Sequence, residues 1–255
     1  MTKNAFTLSE VLITLGIIGV VAAITMPTLI QNYKKQVTVT QLKKAYSEFS
    51  QAMQKAESEH GLMETWNFAN FETPIERTEY FGENYIFPYI KTVKKCIPTS
   101  SECWADEIYN LNNVETKDSM SNKYSTTKAV SFISASGYSG FFWVGASGDN
   151  AWYFVDLNGN KKGPNMLGKD IFGISMNFGS SVQKLGYHMA GLNASPTPTR
   201  DELMAGKFEN GTAILGNSDN ACRKDMEDKS NKPYGVFCGA IIVLDGWKIE
   251  KDYPW

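Results

Sequence analysis

Residues 5–31 read Ala5-Phe-Thr-Leu-Ser-Glu10-Val-Leu-Ile-Thr-Leu15-Gly-Ile-Ile-Gly-Val20-Val-Ala-Ala-Ile-Thr25-Met-Pro-Thr-Leu-Ile30-Gln31, and the organisation of the whole chain follows from them. Between residues 11 and 30 nothing is ionisable. At about 1.5 Å rise per residue, a helix of that length crosses the ~30 Å hydrocarbon core of a bilayer. One acid, Glu10, stands at its entrance. A secretory signal that is removed whole carries a basic stretch in front, a shorter apolar run, and a small-residue cleavage site behind it. Here Lys3 is the one basic residue in front, and the small residue, Ala5, precedes the run. Cleavage after Ala5 would therefore leave the apolar helix on the mature protein. A carboxylate in such a helix costs about 2.5–3.5 kcal/mol at mid-membrane and less near the interface, so it is usually kept for a partner. Glu10 is thus read as a register-setting acid whose natural partner is an amine in the same apolar layer.

Working outward, the pattern changes character after Pro27. Leu42, Ala45, Tyr46, Phe49, Ala52, Met53 and Ala56 recur at three-and-four spacing, with Lys43, Lys44, Glu48, Gln51 and Lys55 between them. That period predicts an amphipathic continuation of the same helix to about Glu59, ended by Gly61. Pro27 inside it bends the rod and frees a carbonyl. Residues 62–124 are irregular and rich in aromatics, and read as a long connecting region with a short helix over residues 84–94. Strand formers separated by Gly, Ser, Asp and Asn turns cover residues 129–135, 141–144, 151–157 and 171–178. An antiparallel meander laid on a long helix is the α+β architecture this order predicts. Past Gly186 comes a loop, then a capping box, Thr199 with Glu202, opening a short helix to about Lys207. Residues 239–244, the Asp245-Gly246 turn and residues 247–249 read as a final hairpin.

The chain has 255 residues and net charge −2, with 20% charged and 13% aromatic residues. Beyond the apolar helix this suffices for a folded, loop-rich domain, and near-neutral charge gives no electrostatic footprint for nucleic acid. Cys96, Cys103, Cys222 and Cys238 form no C-x-x-C. In an extracytoplasmic domain they read as two disulfides, of which Cys96–Cys103 with Cys222–Cys238 is the simplest of three connectivities; reduced thiols and a zinc site are the competing readings.

Between two of the strands, Asp156, Asn158 and Asn160 alternate as ligand oxygens do in a calcium loop. No glutamate closes that loop, and Lys161 and Lys162 add repulsive charge, so a structural turn is the preferred reading and calcium the second. Gly163 to Lys169 also imitates a phosphate loop, but Asp170 replaces the Ser/Thr that holds magnesium. No nucleophile elbow, zinc-protease motif or complete phosphate loop is present, and His60 and His188 stand far apart, so no enzyme is expected.

Ala5 followed by Phe6-Thr7-Leu8-Ser9-Glu10-Val11-Leu12-Ile13-Thr14-Leu15 resembles the cleavage and methylation motif of type IV prepilins and type II secretion pseudopilins. The resemblance covers about a tenth of the chain and departs from the usual pattern at Ala5, where glycine is common, and at Ser9. It implies that a prepilin peptidase cuts after Ala5 and methylates Phe6, that Glu10 occupies the conserved acidic position, and that Pro27 falls at the helix-kinking proline. It implies further a pilin-like fold with a leader at residues 1–5, a transmembrane and assembly helix at 6–30, its amphipathic continuation at 31–60, and an extracytoplasmic globular domain at 61–255. The expected function is that of a structural subunit of a type IV pilus or secretion filament. Its partners would be other pilin-like subunits, the peptidase, an inner-membrane assembly platform and the bilayer. The second reading is a minor pilin acting as an adhesion or DNA-binding module, or a plain membrane-anchored ectodomain. Lys34 and Lys35 follow the apolar run, so the basic-residue count does not favour an outer C-terminus; the cytoplasmic N-terminus is what the leader resemblance implies.

Overall fold

A computed structural model describes residues 7–116, 120–179, 183–208, 218–225 and 227–255. Ala5 and Phe6, the expected cleavage and methylation positions, lie outside the described residues.

Helix α1 runs from Leu8 to His60 in one piece, passing through Pro27 without interruption. A capping box opens it: Glu10 N–H donates to Thr7 Oγ1, while Thr7 N–H and hydroxyl both donate to Glu10 Oε2. Gly61, at φ 85°, closes it, and its N–H returns to the Glu57 carbonyl. A positive φ at that point is open to glycine, which carries no Cβ.

Six strands follow the helix and form one antiparallel sheet whose spatial order equals their order in the chain. They are β1 Thr92–Cys96, β2 Val130–Ser134, β3 Ser139–Val144, β4 Asn150–Asp156, β5 Ile171–Asn177 and β6 Gly186–Met189. The buried residues of α1 are Leu42, Ala45, Phe49, Ala52, Met53 and Ala56, the apolar stripe expected from the spacing. The stripe lies on the sheet. The Phe49 ring meets Tyr153 of β4 at 4.5 Å and the edge of Tyr187 of β6 at 5.6 Å. Side chains alternate along β4, so Trp152 and Phe154 point the other way. There they stack with Trp143 of β3 at interplanar angles of 11° to 19°. Trp104, from the connection between β1 and β2, covers part of this outer face by stacking on Phe141 at 5.0 Å. With both faces occupied, β5 is buried along its whole length.

Three expectations are corrected. Between residues 62 and 91 the regular helix is α2, Pro74–Phe81, prolonged by a wider turn over Gly82–Ile86; residues 92–94 belong to β1. The start is set by Thr73, which forms a capping box with Glu76 ahead of a proline. The C-terminal hairpin is instead a helix, α4 Cys238–Leu244, whose residues 238–242 are buried on every side. A short run of β-formers with helical burial all round cannot be told from a strand by periodicity, and Asp245-Gly246 serves as the end of that helix, with Asp245 N–H on the Ile241 carbonyl. Residues Gly186–Met189 form β6, and the expected loop begins only after it. Helix α3, Arg200–Ala205, starts at the Thr199–Glu202 capping box. Its Arg200 clasps the C-terminal segment, with Nε and Nη2 on Asp245 and Nη1 and Nη2 on Asp252.

Candidate functional site

Two features stand out, and the apolar half of α1 is the first. From Leu8 to Ile30 its large apolar side chains are all at least 42% exposed, and no part of the most apolar window is buried. By length and composition this helix can cross a membrane. The same helix therefore has one end with no protein contact and another end fixed to a sheet. A Cβ placed on Gly16 or Gly19 would meet nothing within 4 Å, so the two glycines form a shallow, open strip on the rod. Glu10 lies in the first turn, its carboxylate engaged with Thr7 through Oε2.

The connection between β4 and β5 is the second. Asp156 ends β4, and Gly159, at φ 82°, turns the chain beneath it. Asp170, just before β5, accepts from Met166 N–H at 2.6 Å on Oδ1 and from Asn165 N–H at 3.0 Å on Oδ2. Asn158 spans the two acids: its N–H donates to Asp156 Oδ1 at 3.2 Å and its Nδ2 to Asp170 Oδ2 at 3.3 Å. Asp156 is wholly buried and Asp170 is 6% exposed. Burial, reinforced by the Asp170 charge, pushes the Asp156 carboxyl up to about 7. Burial also raises Asp170, against the backbone N–H groups of Met166 and Asn165 that favour its charged form. The turn adjoins a cavity of about 410 Å³ shared with Tyr33, Lys34 and Val37 of α1 and with Trp255.

Of the three residues that alternate in sequence, the structure keeps Asp156 and Asn158 together and separates Asn160. The Asn160 Nδ2 donates to the Ser101 carbonyl at 2.7 Å and its N–H to Ser139 Oγ at 3.3 Å. Asp170 and Asn165, which the alternation does not include, come in instead. The signal for them was the length of a loop that returns to its own start, visible once β4 and β5 are known to pair Asp156 with Ile171.

Disulfides join Cys96 to Cys103 at the end of β1 and Cys222 to Cys238 at the start of α4. The second sits against the same loop: a Cβ on Gly168, at φ 77°, would come within 2.8 Å of Cys238 Sγ. Among the described residues no group of three or more His, Cys, Asp or Glu side chains comes together. His60 faces Tyr85 and Tyr89, whereas the His188 ring bonds the Leu185 carbonyl.

The model of a family of unknown function (DUF6613) matches residues 28–255. No curated protein and no solved structure matches.

Proposed function

We propose that this chain, which belongs to the DUF6613 family, is a non-catalytic, pilin-like filament subunit held in the inner membrane by the apolar half of α1, with its globular domain outside. The observation that carries the reading is the division of one 53-residue helix into a half with no protein contact and a half seated on an antiparallel sheet. An uncovered apolar rod requires lipid before assembly and other rods after it. Moving between the two gains little hydrophobic energy, so close packing along Gly16 and Gly19 and polar contacts at the rod's tip must supply the specificity. The motif around Ala5, Phe6 and Glu10 supports processing by a prepilin peptidase, and Pro27 is compatible with a bent membrane helix.

Mass spectrometry of the mature N-terminus tests the processing step. The expected result is a chain beginning at N-methylated Phe6; a chain that keeps Met1 in a cell with active peptidase overturns it.

Assembly has its own test. In the described contacts Glu10 uses only Oε2, which leaves Oε1 for the terminal ammonium of the same or a neighbouring subunit. Truncating one partner of a buried charged pair costs about 2–5 kcal/mol, so Glu10→Ala should lower incorporation into sheared filaments at least about tenfold. Equal incorporation of the variant, at equal membrane abundance, removes Glu10 from register setting.

A further inference from the structure

We propose that the membrane-facing end of the globular domain is a seat for anionic phospholipid, whose headgroup phosphate lies between Lys34 of α1 and Lys169 of the β4–β5 connection, walled by Tyr33 and Trp255. These four residues line the cavity of about 410 Å³ between helix and domain. Its depth in the membrane is set by the helix. The uncharged run ends at Ile30, and at about 1.5 Å per residue Tyr33 to Lys35 lie about 4.5–7.5 Å farther out. The headgroup layer adds about 5–7 Å outside each face of the hydrocarbon core, so these residues stand within it. Tyr and Trp concentrate at that level, where one side of the ring is apolar and the other wet. The contact presupposes the membrane reading of α1 proposed above, and it belongs to the subunit while it resides in the bilayer.

The domain side of the cavity is held in place. The Tyr253 hydroxyl donates to the Gly168 carbonyl and Arg200 binds Asp252, so two ties fix the segment that carries Trp255. Lys169 is half-buried, and burial together with the Lys224 charge pulls it below its ordinary value. An anion beside it would offset both effects. Asp170 also lines the cavity, but its oxygens take the N–H groups of Asn165 and Met166 and the Asn158 amide. Among the described residues neither Lys34 nor Lys169 has an ion-pair partner.

Around the cavity the charge is mostly of one sign, although the whole chain carries −2. Residues 31–41 hold Lys34 and Lys35 and no acid; residues 157–169 hold Lys161, Lys162 and Lys169 and no acid. On the other side of α1 a second cleft, about 660 Å³, sets Lys35 beside Lys248, but Glu250 shares it. The Lys34–Lys169 side is therefore the stronger seat. Lys34 and Lys35 run against the basic-residue count for an outer flank, and as headgroup ligands they have a use there. A free phosphate would meet the same lysines but gain nothing from the rings. Tyr33 and Trp255 can cover the glycerol and first methylenes that only a lipid brings.

The full-length protein is reconstituted into nanodiscs of phosphatidylcholine and of a phosphatidylcholine–phosphatidylglycerol mixture, and lysine acylation rates are read by mass spectrometry. A lysine at an anionic surface gains about fivefold in binding, so Lys34 and Lys169 should react about fivefold more slowly in the mixture. Lys55, exposed farther along α1, should react equally in both. In about 1 M salt, where screening shortens to about 3 Å, the difference should vanish. Lys169→Gln should return the Lys34 rate in the mixture most of the way to its phosphatidylcholine value. Insertion into both discs with equal rates at Lys34 and Lys169 overturns the seat and leaves the membrane reading standing. Failure to insert into either disc overturns both. Equal protection from inorganic phosphate in phosphatidylcholine discs makes the ligand a free anion and overturns the lipid assignment. A difference that survives the salt, or a Lys34 rate unmoved by Lys169→Gln, overturns the paired lysines.

Discussion

Phe49→Ala should lower the unfolding free energy of the globular domain by about 3–5 kcal/mol, the range for removing a buried phenylalanine from a core that cannot collapse to fill the space. Phe49 has no exposed surface and sits where α1 crosses β4 and β6, between the rings of Tyr153 and Tyr187. The buried stripe alternates small residues, Ala45, Ala52 and Ala56, with Leu42 and Met53, and Phe49 is its one buried ring. Its loss removes the transfer energy of the side chain and its aromatic contacts, and the alanines beside it have no atoms to extend into the gap, which leaves Met53 as the one adaptable neighbour on the stripe. Denaturant titration of the full-length protein in detergent, followed by aromatic fluorescence, measures the change. Tyr33→Ala, on the exposed part of the same helix, should move the midpoint little. A Phe49→Ala midpoint within about 0.5 kcal/mol of the parent, the scatter of ordinary surface substitutions, would mean that the helix is not held to the sheet as described.

The double substitution Cys222→Ser with Cys238→Ser should cost about 2–4 kcal/mol. In the chain-entropy account a bridge across roughly 15 residues restricts the unfolded ensemble by about 3 kcal/mol, and here the sequence separation is 16. Both cysteines are fully buried, so the serine hydroxyls must also be placed where little water reaches. The companion substitution at Cys96 and Cys103, which closes a separation of 7, should cost less, by under about 1 kcal/mol on the logarithmic dependence on loop length. Denaturant midpoints of the two double variants, and of the parent with and without reductant, give the ranking. A larger loss at the first bridge than at the second would contradict it.

The long helix was legible because its two halves carry independent signals: an uncharged run in one and a three-and-four stripe in the other. Four of the six strands were legible because Gly, Asn and Asp punctuate runs of β-formers. Helix α2, expected over residues 84–94, was misplaced, and three further elements were missed. Residues 238–244 are apolar without a period, so the solvent-facing contrast that separates helix from strand is missing when every side is covered. Strand β1 carries Lys94 and Lys95 at a sheet edge, where charge is common but reads as loop. Strand β6 has four residues, too few for any alternation to register. In the β4–β5 turn, sequence spacing drew attention to Asp156, Asn158 and Asn160, since alternation is all that a linear reading can count. That Asp170 folds back beneath Asp156 depends on the register of two paired strands, and that Asn160 turns away depends on Ser101, 59 positions distant.

A sheet in which each strand lies beside the strand before it can be completed in the order in which it is delivered. Strands β1 to β6 require no later strand to slip between two earlier ones, so a chain delivered N-terminus first finds each docking edge already in place. Pairings between neighbours in sequence also carry small loop-closure costs. The last pieces to emerge are the ones that fasten the assembly: α4 joins Cys238 to Cys222, and Arg200 gathers in Asp245 and Asp252. Folding of this domain can thus proceed vectorially from its first strand to its last helix, with closure of the second cysteine pair as its final step.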